Sequence, residues 1–335
     1  MKDNLVIIGV DGGIASQIAF ITLGLAFEEK GIKVKYDLSW FEESGKGFFN
    51  PSKSYDKVYD VSFDIPKAFP ALSLKIASKE EVAHYRKHYF VDDNDVIMCQ
   101  PPLYVGGYLG RVFDTRYAGL LREHFKPQEL QEGNTPFAAL LQEIESSPSP
   151  CGVHIRRGDL SQPHIAYGNP TSNEYFAKSI ELICLLHPQS SFYLFSDDLA
   201  FVKEQIVPLL KGKTYRICDV NNPSQGYLDL YLLSRCRNII GSHGGMGGYA
   251  KILSPHNPLL ITPRYRNIFK EVENVMCVNW GESVQHSPLV YSAPPPHLSP
   301  SSKEMHRLIR AYIRRKIMQV LEKFKVKRFA NGSLS

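Results

Sequence analysis

Residues 151–160 carry the side chains best suited to chemistry in this chain. They read Cys-Gly-Val-His-Ile-Arg-Arg-Gly-Asp-Leu, an apolar lead-in followed by one histidine, two arginines and one aspartate. On a strand that runs into a loop, side chains alternate between faces, so His154 and Arg156 lie on the same side. A guanidinium is charged at any working pH and offers a rigid fork of donors that suits phosphate oxygens. The alternative is a solvated Arg156–Arg157 pair closed by a salt bridge to Asp159.

The composition indicates a globular protein with a sizeable core. The chain has 335 residues, 43% hydrophobic and 11% aromatic, which is long enough for two domains. Its six cysteines show no metal-type spacing and are interpreted as reduced thiols. The apolar run at residues 5–10 is short for a signal peptide and no run reaches the ~18 residues of a membrane span, so a cytoplasmic location is predicted.

The positive charge is concentrated at the C-terminal end of the sequence. The whole chain carries a net charge of +5, because residues 301–335 contribute ten basic and two acidic side chains while the remainder is slightly acidic. A basic face spread over the fold is therefore not indicated, and no nucleic-acid partner is predicted.

The N-terminal part shows the pattern of a strand, a helix and a second strand. Residues 5–10 are β-branched and apolar, residues 14–30 have helical spacing, and residues 32–37 alternate. This β-α-β order predicts a parallel sheet. Gly12 and Gly13 at the junction let a ligand approach backbone N–H groups at the helix start, although a tight turn is the alternative. Further along, residues 101–110 are predicted as loop, and residues 113–125 and 135–144 as helices.

A Ser/Pro stretch at residues 146–150 is predicted to link two domains, residues 1–145 and residues 151–298. In the second domain, predicted strands alternate with predicted helices. The strands are residues 151–155, 191–196, 214–220, 238–242 and 257–262, and the helices are residues 173–186, 199–210, 227–236 and 249–253. This order predicts a doubly wound Rossmann-type sheet, in which ligands bind beyond the carboxyl ends of the strands. Residues 154–159, 196–198 and 242–248 all fall at that edge.

The tail, residues 299–335, contains a predicted basic amphipathic helix at residues 303–327. One apolar stripe runs along it, and basic side chains fill the other faces. The stripe is expected either to pack on the body or to rest on an anionic membrane surface, with the basic residues facing lipid or a pyrophosphate-bearing acceptor.

The order of these motifs resembles the bacterial α-1,2-fucosyltransferases, within the wider α-1,2/α-1,6/protein O-fucosyltransferase superfamily. The resemblance covers roughly residues 5–262 and is strongest at His-Ile-Arg-Arg-Gly-Asp, residues 154–159. Phe-Ser-Asp-Asp at residues 195–198 supports it, as does Leu-Asp-Leu-Tyr-Leu-Leu-Ser-Arg-Cys at residues 228–236 with Asn-Ile-Ile at residues 238–240.

The resemblance implies an inverting, metal-independent enzyme of the GT-B fold, an α/β fold with two facing Rossmann-like domains. The C-terminal domain would hold GDP-β-L-fucose and the N-terminal domain an acceptor sugar, without any cofactor. Arg156 and Asp159 are the implied catalytic residues. The implied donor-binding residues are His154, Arg156, Arg157, Ser196, Asp197, Asp198, Ser242, His243 and Gly244. The implied acceptor-side residues are Gly12, Gly13, Ser16 and Gln17.

The chain departs from the family pattern at two places. Ser16 stands where the family commonly has asparagine, and residues 242–249 read Ser-His-Gly-Gly-Met-Gly-Gly-Tyr where the family has a tryptophan pair. The expected acceptor is a galactoside or a lipid-linked oligosaccharide for a surface glycan of the O-antigen or capsule type. Another GDP-sugar, another fucosyl linkage, or a noncatalytic sugar- or lipid-binding protein are the alternatives.

The proton acceptor for the attacking hydroxyl is left open between Asp11, Asp114, Asp159 and an arrangement without a strong base. His243 is expected either to contact phosphate or to be a packed polar residue. Residues 92–95, Asp-Asp-Asn-Asp, resemble a divalent-metal loop but are expected to be a solvated acidic loop. No metal site is predicted.

Overall fold

The computed structural model describes residues 3–43, 61–91, 96–106, 115–131, 135–158, 160, 170–222, 224–263, 272–278 and 280. Four features named above lie outside these residues: Asp159, Asp114, the acidic stretch 92–95 and the tail 299–335. The described part forms two parallel β-sheets, one of four strands and one of six.

The N-terminal sheet consists of β1 (Leu5–Gly9), β2 (Lys33–Asp37), β3 (Phe90–Val91) and β4 (Leu103–Val105), in the order β2-β1-β4-β3. All of its pairings are parallel, which confirms the predicted β-α-β opening. Its helices are α1 (Ile14–Glu29), α2 (Ser39–Glu43), α3 (Ile65–Ala68) and α4 (Lys79–His88).

Strand β4 corrects the prediction of a loop over residues 101–110. Leu103, Tyr104 and Val105 are fully buried and lie between β1 and β3, at the centre of the sheet. Two prolines precede this strand and two glycines follow it, and these breakers obscured a strand of three apolar residues. Burial on both faces, not alternation, identifies such a strand.

Two helices connect the sheets. Helix α5 (Thr115–His124) and helix α6 (Pro136–Ser146) confirm the helices predicted at residues 113–125 and 135–144, and short 3₁₀ turns occur at Val96–Met98 and Gln128–Gln131. Thr135 caps α6, because its hydroxyl accepts the N–H of Ala138 at 3.1 Å and Pro136 occupies the first turn. Of the predicted linker at residues 146–150, residue 146 ends α6 and residue 150 begins the next strand, so residues 147–149 connect the two.

The C-terminal sheet contains β5 (Pro150–Ile155), β6 (Ser191–Ser196), β7 (Tyr215–Ile217), β8 (Asn238–Ile240), β9 (Leu259–Thr262) and β10 (Val275–Cys277). The spatial order β7-β6-β5-β8-β9-β10 is that of a doubly wound Rossmann sheet, as predicted, although β10 was not. Its helices are α7 (Asn173–Leu186), α8 (Leu199–Phe201), α9 (Gly226–Ser234) and α10 (Met246–Leu253).

The regular helix predicted at residues 199–210 is wrong beyond its first turn. Helix α8 widens into a π-helical segment, Val202–Ile206, and then tightens into a 3₁₀ turn, Val207–Leu210. Pro208 has no N–H to donate, and its ring would clash with the carbonyl group four residues earlier in a regular α-helix. Both effects disfavour a regular α-helix at this position.

One continuous hydrophobic core joins the two sheets. It includes Val6 and Ile8 of β1, Leu121 of α5 and Leu230 of α9, all of them almost fully buried. Helices α1, α3 and α5 pack on α9 and α10. Nε and Nη2 of Arg122 on α5 also donate to the carbonyl oxygen of Ile252 at the end of α10, at 3.0 and 2.6 Å. The position of one sheet relative to the other is therefore set by packing as well as by polar contacts.

Candidate functional site

The strand order creates a crevice between β5 and β8. From β5 the chain proceeds outward through β6 and β7, and then returns across the sheet to enter β8 on the other side of β5. The two connections leave the carboxyl ends of β5 and β8 in opposite directions, which opens a space where ligands bind in doubly wound sheets. His154 and Arg156 follow β5 at this point, and Ser242 follows β8.

Ser242 joins the two sides of the crevice. Its Oγ accepts the backbone N–H of Arg156 at 3.0 Å and lies 3.0 Å from Nδ1 of His154. Ser242 and His154 are both buried, with exposed fractions of 4% and 7%. The loops after β5 and β8 therefore hold each other through a single hydroxyl group.

His154 is uncharged in this environment. Burial lowers the pKa of its imidazole from 6.5 to about 3, and the nearby charge of Arg156 adds to this effect. At neutral pH the ring therefore supplies no positive charge to the crevice.

The side chain of Arg156 lies across Gly244. A Cβ atom added to Gly244 would lie 3.0 Å from Nη1 of Arg156 and 3.3 Å from its Cδ, and the φ angle of this glycine is +117°. The backbone conformation favours glycine here, and a larger residue would also displace the arginine side chain. The neighbouring backbone N–H of His243 donates to Oγ1 of Thr171 at 3.0 Å, which fixes the loop beneath the arginine.

Helix α10 begins directly after this loop and lies unusually close to β8. A Cβ atom on Gly247 would be 3.0 Å from Cα of Gly241, so no side chain fits at that position. The hydroxyl of Tyr175 lies 2.7 Å from the carbonyl oxygen of Gly241 and holds the strand end in place. The first N–H groups of α10 and the guanidinium of Arg156 thus form a positive edge suited to an anion.

One strand further along, polar groups bind the ends of β5 and β6 to each other. Oγ of Ser196 donates to the carbonyl oxygen of Ile155 at 2.7 Å and accepts the N–H of Asp198 at 3.0 Å. Asp198 also caps α8, since its Oδ1 accepts the N–H of Phe201 at 3.0 Å.

Arg157 belongs to this second group. Its backbone N–H donates to Oδ1 of Asp197 at 2.9 Å, and its Nε lies 3.5 Å from Oδ2 of Asp198. The guanidinium carbon stands 3.7 Å from the ring centroid of Phe201, a cation–π contact. The side chain of Arg157 is therefore held by Asp198 and Phe201. Roles for Arg157, Asp197 and Asp198 at a nucleotide stay predictions.

The predicted acceptor-side residues lie in the other half of the protein, at the carboxyl end of β1. Gly12 has a φ angle of +72° and Gly13 precedes the first turn of α1. The amide of Gln17 is fully buried: Nε2 donates to the carbonyl oxygens of Gly12 (2.9 Å) and Ser62 (2.8 Å), and Oε1 accepts the N–H of Asp64 at 2.8 Å. Gln17 therefore serves the backbone of its own domain.

Asp11 and Ser16 also lie at this turn. Asp11, one of the candidate bases, is 9% exposed, and Ser16 packs against Gly12, whose added Cβ would be 3.0 Å from the serine Oγ. Within the described ranges there is no group of three or more His, Cys, Asp or Glu that could hold a metal ion. No helix in that same part of the chain is long and apolar enough to cross a membrane.

The structure brings His154, Arg156, Ser242 and Gly244 to one place, as the strand-end rule predicted. Three contacting residues were missed by the sequence analysis. These residues contact the loops around the site: Thr171 precedes α7, Tyr175 lies in the first turn of α7, and Phe201 ends α8. No spacing in the sequence distinguishes them.

The chain belongs to glycosyl transferase family 11. The sequence profile of that family matches residues 48–282, and the membership confirms the fucosyltransferase resemblance. The α/β architecture with two parallel sheets is the GT-B type expected for this class. No curated protein matches the chain.

Several solved structures match the chain at low identity and low TM-score. POFUT1 in complex with GDP is 11% identical with a TM-score of 0.41, covering 78% of this chain and 98% of that one. ADP-heptose LPS heptosyltransferase II of E. coli is 13% identical with a TM-score of 0.37, covering 83% and 90%. UDP-GlcNAc 2-epimerase of Methanocaldococcus jannaschii is 14% identical with a TM-score of 0.40, covering 92% and 99%. At such scores the family match and the strand order define the class, and no activity follows from these structures.

Proposed function

We propose that the protein transfers L-fucose from GDP-β-L-fucose to the 2-hydroxyl of a terminal galactoside, with inversion and without a metal ion. The observation that carries the proposal is the crevice between β5 and β8. There the buried hydroxyl of Ser242 fixes both His154 and the backbone of Arg156, and the guanidinium lies beside the start of α10. Membership of family 11 supports the sugar class.

The proposed step breaks the bond between fucosyl C1 and the oxygen of the β-phosphate. Negative charge develops on the departing GDP, and the guanidinium of Arg156 with the first N–H groups of α10 stabilises it. The sugar passes through an oxocarbenium-like state, and the acceptor oxygen forms a bond to C1 from the opposite face. Its proton goes to a base among Asp11, Asp114 and Asp159, or to water.

The rest of the donor is assigned to the surrounding residues. The neutral imidazole of His154 is proposed to hydrogen-bond the nucleotide, and Asp197 or Asp198 to lie near the guanine or ribose. Ser242, His243 and Gly244 are proposed to surround the diphosphate. The acceptor is proposed to be a lipid-linked oligosaccharide of a surface glycan at the cytoplasmic face of the membrane, with residues 303–327 contacting anionic lipid.

A second candidate is transfer from another GDP-sugar or to another hydroxyl. The observation that favours it is the tight glycine packing at Gly241 and Gly247, because it leaves no side chain where the family has a tryptophan pair. Residues 242–248 therefore offer no large aromatic ring to contact a sugar. A different donor sugar, or a different orientation of the acceptor, would then fit beside this loop.

The test is calorimetric titration with GDP, GDP-fucose and GDP-mannose, followed by turnover assays on a panel of galactosides. We expect Arg156→Ala to weaken GDP binding by about tenfold to hundredfold, because a charge-assisted bond to phosphate is lost. Turnover should fall further, by about hundredfold to thousandfold, because the charge on the leaving group is greatest in the transition state. Arg216→Ala, at an exposed arginine on the edge strand β7, is the matched control.

Four outcomes would contradict parts of the proposal. No binding of any guanine nucleotide would remove the donor assignment. Activity that is abolished by EDTA and restored by Mn²⁺ or Mg²⁺ would replace the metal-free mechanism. Binding of GDP-fucose without transfer to any acceptor would favour a noncatalytic sugar-binding protein, and preference for GDP-mannose would favour the second candidate.

A further inference from the structure

Tyr227 connects the two halves of the protein near the donor crevice. It lies in the first turn of α9, is only 2% exposed, and its hydroxyl donates to Oε1 of Glu129 in the N-terminal half. Nζ of Lys67 on α3 stands 5.8 Å from the centre of the same ring. Lys67, Glu129 and Tyr227 are called the tyrosine bridge below.

Glu129 depends on this tyrosine. Its second oxygen, Oε2, is buried and accepts no hydrogen bond among the described residues, so the phenol is the group that compensates the carboxylate. Burial raises the pKa of Tyr227, and the carboxylate raises it further, so the phenol keeps its proton and remains a donor. Removing this donor would leave a half-buried carboxylate without its hydrogen-bond donor, which is costly.

On the N-terminal side, contacts continue from the tyrosine bridge to the first turn. Nζ of Lys67 lies 3.2 Å from Oδ1 of Asp64, and that oxygen also accepts the hydroxyl of Ser62 at 2.7 Å. Gln17 then binds the backbone of both Ser62 and Asp64, and its amide reaches the carbonyl oxygen of Gly12. Each contact in this series involves a specific hydrogen bond or ion pair.

On the C-terminal side, the bridge adjoins the donor crevice. A Cβ atom on Gly226, the residue before Tyr227, would lie 3.8 Å from Cε of Met246, the first residue of α10. Two residues before Met246, Gly244 supports the guanidinium of Arg156. The starts of α9 and α10 therefore lie side by side, and the hydroxyl of Tyr227 joins the first of them to Glu129 in the N-terminal half.

We infer that Tyr227, through Glu129 and Lys67, is a positioning residue that fixes the first turn of the N-terminal half relative to the donor crevice. The inference rests on the proposed function, in which an acceptor near the first turn attacks a donor beside Arg156. A small displacement between two reacting groups lowers the rate strongly. The bridge therefore governs alignment between acceptor and donor, while the donor is bound by other residues.

Tyr227→Phe tests the inference because it removes only the hydroxyl and keeps the ring beneath Lys67. We expect kcat/KM for the acceptor to fall about tenfold, while GDP affinity measured by calorimetry stays within about twofold because its residues are unchanged. The matched control is Tyr117→Phe. That tyrosine on α5 also donates to a glutamate, Glu29 on α1, but both lie in the N-terminal half.

A second measurement does not depend on activity. Hydrogen exchange in residues 62–68 and 226–231 should rise together in Tyr227→Phe, although these segments belong to different halves, and neither should rise in Tyr117→Phe. Lys67→Met keeps the phenol–carboxylate bond and should give a smaller effect in the same direction, about threefold in kcat/KM. If Tyr227→Phe fails to fold, Lys67→Met provides the test of the inference in its place.

The outcomes separate this inference from the proposed function. Unchanged exchange in residues 62–68, or GDP affinity lost in the same proportion as turnover, would overturn the positioning role. Glu129→Gln combined with Tyr227→Phe should cost no more than the larger single change, and additive losses would also contradict it. If the wild-type protein binds no guanine nucleotide, the donor assignment fails, whereas the exchange result still decides whether the bridge couples the halves.

Discussion

Two strand-to-helix junctions of this protein share a backbone design but differ in what their side chains bind. The junction after β1 contains Gly12 with a φ angle of +72°, and the junction after β8 contains Gly244 with a φ angle of +117°. At the first junction, the side-chain amide of Gln17 makes three hydrogen bonds to the backbone. At the second, Ser242 holds the crevice together while the guanidinium of Arg156 rests on the glycine.

This difference shows that a glycine-lined turn at a helix start does not by itself define a ligand site. Both turns open the backbone and both precede a helix without a side-chain cap at its start. At the second, the guanidinium of Arg156 lies beside the helix start, where the partial charges of the backbone already favour an anion. The first turn holds its own domain together, and it reaches the crevice through the tyrosine bridge.

The largest expected effect that separates the two junctions is on stability, at the first one. Gln17→Met keeps the size of the side chain but leaves two carbonyl oxygens and one N–H without their partner. We expect the free energy of unfolding to fall by about 3 kcal/mol, because each unpaired buried group costs about 1 kcal/mol or more. Urea denaturation measures this loss, and GDP affinity should stay within about twofold of the wild type.

Gln142→Met provides the control for that change. Gln142 is exposed on α6, so the same substitution there should alter the unfolding free energy by less than about 0.5 kcal/mol. A Gln17→Met protein with wild-type stability and strongly reduced GDP affinity would reverse the comparison, because it would make the first turn part of the donor site.

Ser242→Ala addresses the second junction and should have a smaller effect on stability but a larger one on binding. It leaves the N–H of Arg156 and Nδ1 of His154 without the shared hydroxyl. We expect a loss of about 2 kcal/mol in the free energy of unfolding and about tenfold in GDP affinity, since the loop that carries Arg156 is no longer fixed. Denaturation and calorimetry on the same preparation measure both quantities.

Ser234→Ala separates these two effects. Ser234 is equally buried and donates to the carbonyl oxygen of Tyr231 at 2.6 Å, at the far end of α9 from the crevice. It should cost about 1 kcal/mol of stability without changing GDP affinity. If Ser242→Ala behaves in the same way, the hydroxyl is only a folding element and the two junctions are alike.

Much of the architecture could be predicted because apolar runs and glycine positions are local signals. Strands β1, β5, β6 and β8 are buried on both faces, and such strands appear in a sequence as continuous apolar runs. Strand β4 was missed because the breakers on either side of its three residues dominated the pattern. The regular helix predicted after residue 199 is wrong because apolar spacing alone does not include the effect of Pro208 on a helix.

The site was predictable only as far as the carboxyl-end rule reaches. That rule brought His154, Arg156 and Ser242 together from two strands that are far apart in sequence. It could not show that Gln17 turns inward, or that Tyr227 finds Glu129 across 98 positions of sequence. Contacts of this kind depend on how the two halves pack. No local sequence pattern around Gln17 or Tyr227 indicates the partner of either residue.

The remaining expected effect appears only below neutral pH and concerns the titration of His154. Its folded-state pKa of about 3 lies below the ordinary 6.5, so between these values the unfolded chain takes up a proton that the folded protein does not. Stability from this group is therefore fully present above pH 6.5 and falls as the pH is lowered, by up to about 1.4 kcal/mol per pH unit. His154→Asn should flatten this part of the profile, measured as unfolding free energy between pH 7 and pH 4. If wild type and His154→Asn lose stability in parallel, the imidazole titrates freely in the folded protein. The crevice would then carry a second positive charge at mildly acidic pH, and GDP affinity would rise as the pH falls instead of depending on Arg156 and the start of α10 alone.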